Sequence, residues 1–286
     1  MARIIGGVAT THVPAIGNAI AKGLQKDPYW KPFFSGFDYV HQWLAREKPD
    51  VMVIFYNDHG LNFFLDKMPT FAVGAAQEYR NEDEGWGIPV SRAATGIPEL
   101  SWHIINRLVA DEFDIVMCQE MLVDHAVTIP MALMWPGADW PVKIVPISIN
   151  TVQHPLPSPG RCLKLGRAVG RAIESYDKNL KVMVAGTGGL SHQLDGERAG
   201  FINKEFDQLC LDRIVSDPDA LTQYSIHDLV ELSGAQGVEL LNWIAMRGAL
   251  TGKVSQAHRN YHIPISNTAA ATIVLDNQAL AQRQAA

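Results

Sequence analysis

Three histidines of this 286-residue chain stand in the same setting. His12 closes RIIGGVATTH, His59 closes VMVIFYNDH and His192 closes VMVAGTGGLSH. Each time an apolar run that reads as a strand stops and delivers an imidazole within a few residues. A neutral imidazole is a metal ligand, and its ordinary pKa near neutrality also suits it to proton transfer. Glu239 joins them from GVELLNWIAM, a segment that is apolar on almost every face. An ionised carboxylate in such surroundings is costly without a cation, a metal or a strong donor. Two imidazoles and one carboxylate on one face of a metal form the donor set of non-haem Fe(II) oxygen-activating sites. Zn(II) accepts the same ligands in hydrolases, so the ligand types leave the metal open.

Each feature has a bland reading. A lone histidine at a strand end is more often a hydrogen-bonded structural residue than a ligand, and Glu239 on its own could pair with Arg247. What weighs against this is the repetition, since ligands collect at the carboxyl ends of strands in α/β sheets. Asp124 and His125 form a further DH pair. GTGG matches neither a phosphate loop nor a dinucleotide fingerprint. His41, His103, His154, His227 and His258 have no comparable context and read as surface or packing residues. Met131, Met134 and Trp135, which follow Pro130, read as core.

The elements that must position these groups alternate along the chain. Apolar runs predict strands at Ile4 to Ala9, Val51 to Tyr56, Thr70 to Ala75, Ile115 to Cys118, Val142 to Ile149, Val182 to Ala185 and Ala269 to Leu275. Helical periodicity covers Phe37 to Arg46, Pro98 to Glu112, Arg161 to Tyr176, Gly200 to Val215 and Gln236 to Gly248. Such alternation indicates an α/β fold: an α/β/α sandwich around a largely parallel or mixed sheet. Tyr79 to Gly96, with NEDEGWGIP at its centre, and Gln153 to Gly160 read as long loops, which are usually functional or mobile. No repeat or linker composition divides residues 1–286, so a single domain is expected. Residues 278–286 read as a polar, Ala-rich tail expected to fray.

Composition narrows the class of partner. A hydrophobic share of 47% and a charged share of 19% suit a globular chain. The net charge of -6 and the absence of a basic stripe argue against a nucleic-acid or anionic-membrane surface. The N-terminus fails as a signal peptide, and no window reads as a membrane helix, so the cytoplasm is the expected compartment. Cys118, Cys162 and Cys210 match no metal spacing and are expected to be reduced packing residues.

Taken together, THVPAIG, YNDH, DEGWG, DEFD, VDHA, GTGGLSHQL, RAGFINKEFD, GVELLNWIAMRGAL and YHIPISNTA fall in an order that spans nearly the whole chain. In these strings it resembles the LigB-like, type II extradiol ring-cleavage dioxygenases, the family of the catalytic β subunit of protocatechuate 4,5-dioxygenase. The resemblance implies Fe(II) held by His12, His59 and Glu239, with His192 as the active-site acid/base and His125 as a second-shell or substrate-side histidine. It places Asn57 beside the metal, oriented toward substrate or oxygen, and Ser266 and Asn267 near the substrate's ring carboxylate. It implies insertion of both atoms of O2 into protocatechuate with cleavage between C4 and C5, giving 4-carboxy-2-hydroxymuconate semialdehyde. Gallate and 3-O-methylgallate are the nearest alternative substrates; a Zn hydrolase or a non-catalytic member of the fold is the more distant alternative. The family's small helical α subunit is not visible in the sequence, so a separate α partner in an α2β2 assembly is expected.

Overall fold

Val51–Tyr56 shows why the chain layers itself as it does. All six residues of this strand are buried, and alternate side chains enter opposite cores. Val51, Val53 and Phe55 join one apolar cluster, while Met52, Ile54 and Tyr56 join the other. Side chains along a strand alternate between faces, so an unbroken apolar run fits a sheet that is covered on both sides.

The structure, a computed structural model, describes residues 1–137 and 140–278. Its described strands are β1 (Arg3–Thr10), β2 (Val51–Tyr56), β3 (Phe71–Gly74), β4 (Glu78–Tyr79), β5 (Ala94–Thr95), β6 (Val116–Cys118), β7 (Lys143–Ile149), β8 (Lys181–Thr187), β9 (Lys253–Ile265) and β10 (Thr268–Gln278). Its described α-helices are α1 (Pro14–Ala21), α2 (Lys31–Phe34), α3 (Phe37–Glu47), α4 (Pro98–Ala110), α5 (His125–Met134), α6 (Pro159–Glu174), α7 (Lys204–Ser216), α8 (Ile226–Ser233) and α9 (Leu240–Ala249). Eight strands form one sheet in the order β6-β3-β7-β2-β8-β1-β10-β9. β7, β2, β8 and β1 run parallel at its centre. β3 joins β7 antiparallel, as β10 joins β1 and β9 joins β10. The sheet is therefore mixed. Residues of α4, α6, α7 and α9 pack on one face, and those of α1, α3 and α5 on the other.

The packing of α9 matters because Glu239 stands at its entrance. α9 lies backbone-close to α6: a Cβ at Gly248 would sit 2.5 Å from the Leu163 carbonyl oxygen. Only glycine permits that approach.

Several elements depart from the sequence reading. β9 was not expected: KVSQAHRNYHIPI is polar through much of its length and half-buried where described, because it is an edge strand that pairs with β10 alone. α1, α2, α5 and α8 were also missed; α5 carries Pro130 inside it, a residue that argues locally against helix. Glu239 ends a 3-10 turn, Gly237–Glu239, rather than lying within the helix itself. Gln278 belongs to β10 rather than to a tail, and the rest of the expected tail lies outside the described residues. Cys162 and Cys210 are buried as expected, whereas Cys118 is only partly buried on edge strand β6; all three are free. Among the described residues, no helix is long and apolar enough to cross a membrane.

Candidate metal centre

β2, β8 and β1 are neighbours and parallel, so their carboxyl ends lie on one edge of the sheet. His12 follows the end of β1, His59 the end of β2 and His192 the end of β8. Topology thus brings together three residues that the sequence separates by up to 180 positions. Glu239 reaches the same place from the entrance of α9. Its Oε1 lies 3.3 Å from His12 Nε2 and 3.4 Å from His59 Nε2. Its Oε2 accepts a 2.7 Å hydrogen bond from the Gly189 backbone N–H, in the glycine turn after β8.

His59 is held from behind. It donates Nδ1–H to Asp124 Oδ2 at 2.9 Å, which turns Nε2 toward Glu239. Asp124 is also the N-cap of α5, accepting from Ala126 N through Oδ1. A carboxylate behind a ligating imidazole fixes its tautomer and orientation. Asp58 accepts from the backbone N–H groups of Gly60, Leu61, Asn62 and Phe63, stitching the turn that carries His59. Asn57 Oδ1 accepts from Asn242 Nδ2 at 3.0 Å, which turns the Asn57 amide nitrogen toward Glu239 Oε1 at 3.1 Å and His59 Nε2 at 3.0 Å. In this arrangement the Asn57 amide is engaged with Glu239 and His59.

His125 stands beside them, its ring centroid 4.2 Å from that of His59 and 5.4 Å from that of His12. His192 is buried, and neither ring nitrogen has a hydrogen-bond partner among the described residues. Its backbone bridges to Thr268 at the start of β10. Ser266 and Asn267 form the turn just before Thr268, both at positive φ and both exposed. They adjoin the residue whose backbone bridges to His192, and their exposure sets them apart from the buried centre.

Charge is arranged for a cation. Burial would raise the Glu239 carboxyl, but His12, His59 and His192 outweigh it and hold the group well below the usual carboxylate range. Burial lowers His12 despite Glu239, which favours the neutral imidazole. Burial also pulls His59 down, but Asp124 and Glu239 outweigh it and raise it to about 10. A metal arriving here must displace that proton.

The donor set fits a divalent metal. A buried carboxylate faces two imidazole nitrogens at spacings that two ligands of one ion adopt, and no Lys or Arg pairs with it among the described residues. His12, His59 and His125 also offer nitrogens within 4.8 Å of one another. Glu239 is favoured over His125 as the third donor because its Oε1 lies close to both imidazoles and needs the charge.

The model of the family described as the catalytic LigB subunit of aromatic ring-opening dioxygenase matches residues 6–271. The chain belongs to the LigB family. It is 44% identical over 184 residues to a gallate dioxygenase of Pseudomonas putida, covering 64% of this chain and 54% of that protein. A 2,3-dihydroxyphenylpropionate/2,3-dihydroxicinnamic acid 1,2-dioxygenase of Rhodococcus sp is 35% identical over 161 residues, 55% of this chain and 48% of that protein. One of the same description from Xanthobacter autotrophicus is 28% identical over 264 residues, 76% of this chain and 82% of that protein. The chain spans about half the length of the first two of these relatives.

Sequence reasoning did not assign Asp124, Asn242 or Glu84 to this site. Asp124 could have been found as the acid beside His125, and Asn242 as a second polar residue in the apolar run that holds Glu239. Glu84 lies far from every histidine in sequence, and only the DEGWG string marked it.

Proposed function

We propose that this chain is the catalytic part of an Fe(II)-dependent extradiol dioxygenase that cleaves a 3,4-dihydroxybenzoate, with protocatechuate as its substrate. The observation that carries the reading is the convergence of His12 and His59 on the buried Glu239 carboxylate, with a further histidine, His192, whose ring nitrogens have no hydrogen-bond partner among the described residues. Bound there, Fe(II) supplies one centre at which the diol and dioxygen exchange electrons.

The chain's own residues do the rest. His192 is poised as a base: burial lowers its pKa despite Glu239, so the ring is neutral near pH 7 and can take a proton from a catechol hydroxyl. The same ring returns the proton later in the turnover. His125 stands at the same centre, its ring next to that of His59. Ser266 and Asn267, exposed just before Thr268, are the residues proposed to meet a ring carboxylate. Protocatechuate and O2 combine without loss of atoms, and cleavage between C4 and C5 gives 4-carboxy-2-hydroxymuconate semialdehyde.

Gallate is the second reading, favoured by the 44% identity to a protein named for that substrate. A separate helical α chain covering the site, in an α2β2 assembly, is part of the proposal. In its support, exposed apolar side chains occur in the segments that carry or follow site residues: Phe64 and Leu65 after His59, and Leu194 after His192.

Anaerobic loading with Fe(II), with and without a candidate α chain, followed by protocatechuate or gallate and air, tests the reading. Oxygen uptake matching diol consumed, with a ring-fission chromophore that requires iron, is the expected result. Failure to bind iron even with the α chain present would remove the metal assignment. Iron binding with turnover of gallate alone would select the second substrate.

A further inference from the structure

Glu84 is a partly buried carboxylate, 14% exposed at its side chain, that the proposed reaction does not use. Both of its oxygens go to one residue. Oε1 accepts from the His125 backbone N–H at 2.7 Å, and Oε2 lies 2.6 Å from His125 Nδ1. Because the partner is a carboxylate, Nδ1 is the nitrogen that carries the hydrogen.

The loop that brings Glu84 in is built for that delivery. Asp83 Oδ1 accepts from Gly85 N at 2.8 Å, a local side-chain turn that reverses the chain at Glu84. Gly85 and Gly87 take φ of +77 and +71, a region that a Cβ disfavours. The base of the loop is closed by Asn81, whose Oδ1 accepts from Ser91 N and whose Nδ2 donates to Ser91 O. Near its tip, Asn18 Nδ2 donates to the Trp86 carbonyl at 2.8 Å. The chain between β4 and β5 is thus tied at base and tip. It turns Glu84 inward while Trp86 stays 55% exposed.

With Nδ1 committed, His125 has only Nε2 left for the centre, where its ring centroid lies 5.4 Å from that of His12 and 4.2 Å from that of His59. Nε2 has no hydrogen-bond partner among the described residues. Without Glu84 the ring is free to rotate and to exchange tautomers. We infer that Glu84 is the positioning residue of His125: it fixes the Nδ1–H tautomer and the ring orientation so that Nε2 faces the bound substrate. What His125 then contributes to turnover rests on the ring-cleavage reading above; the tether itself does not.

The test has two arms. In the Fe(II)-loaded protein, with its α chain where activity needs one, Glu84→Ala is expected to lower kcat about tenfold or more with iron content unchanged. Glu84→Gln, which keeps an acceptor, should recover part of the loss. In a His125→Ala background, Glu84→Ala should add nothing, because its effect passes through the histidine. In the metal-free protein, the His125 imidazole should show a hydrogen-bonded Nδ1–H signal by 15N NMR that is lost in Glu84→Ala. Unchanged kcat in Glu84→Ala alongside a large loss in His125→Ala overturns the inference and leaves the ring-cleavage reading intact. If the wild type cleaves no diol, that reading fails and the NMR arm decides: loss of the Nδ1–H signal in Glu84→Ala sustains the tether, and its persistence overturns it.

Discussion

Asp124 grips His59 at two points, accepting from its ring Nδ1 at 2.9 Å and from its backbone N–H at 2.7 Å through the same Oδ2. The other oxygen caps α5. One buried carboxylate therefore couples the orientation of a proposed metal ligand to the start of the helix that carries His125.

Asp124→Asn keeps a capping side chain but loses the charge that fixes the His59 tautomer. Metal affinity is expected to fall about 10- to 100-fold with the fold retained. Equilibrium titration of the metal-free variant with Fe(II) under anaerobic conditions, beside circular dichroism, measures both. An affinity equal to wild type would show that His59 needs no such support.

The same pair sets a pH window for the metal-free protein. Burial would raise Asp124, but His59 outweighs it and lowers the carboxyl from 3.8 to about 2. Its contribution to stability is present above pH 3.8 and is lost as pH falls toward 2. His59 is raised from 6.5 to about 10, so its contribution is complete below pH 6.5 and is lost as pH rises through 10. Thermal midpoints of wild type and Asp124→Asn across this range should diverge most between pH 4 and 6.5. Parallel curves would contradict the ion pair.

Gly188 takes φ of +139, and a Cβ there would lie 2.5 Å from Glu239 Cβ. Gly188→Ala must either strain the turn, at about 1–3 kcal/mol, or displace the carboxylate. Both a lower thermal midpoint and weaker metal binding are expected. Wild-type values for both would mean that the turn accommodates a side chain.

Removing any one of His12, His59 and Glu239 by substitution with Ala should abolish iron retention after gel filtration, whereas His192→Gln should keep the iron. Turnover in His192→Gln is expected to fall about 100- to 10,000-fold, the usual worth of a positioned acid or base. Burial places the His192 pKa below 6.5, so in wild type the acid limb of kcat/KM should fall below that pH, with activity lost as the ring protonates. Iron-free His192→Gln, or an acid limb that survives in it, would reassign the base.

Much of the central fold was legible because burial on both faces leaves a local mark. Val51–Tyr56 is apolar at every position, and the strand appears where that run lies. β9 carried no such mark, since an edge strand with half-buried faces can be polar and still complete its ladder through β10. α5 was hidden by Pro130 and by a buried surface too uniform to show helical periodicity.

The sequence by itself determined the candidate donor types and the strand-end settings of the three histidines, because strand boundaries and side-chain chemistry are local properties of the chain. His12, His59, His192 and Glu239 could be named from it. Only the tertiary structure decided that β2, β8 and β1 are adjacent, that Asp124 stands behind His59, that Asn242 turns Asn57, and that Glu84 reaches His125 across 41 residues. Those relationships depend on strand order, helix crossing and loop return, which are settled by packing between segments distant in sequence and leave no pattern within any one of them.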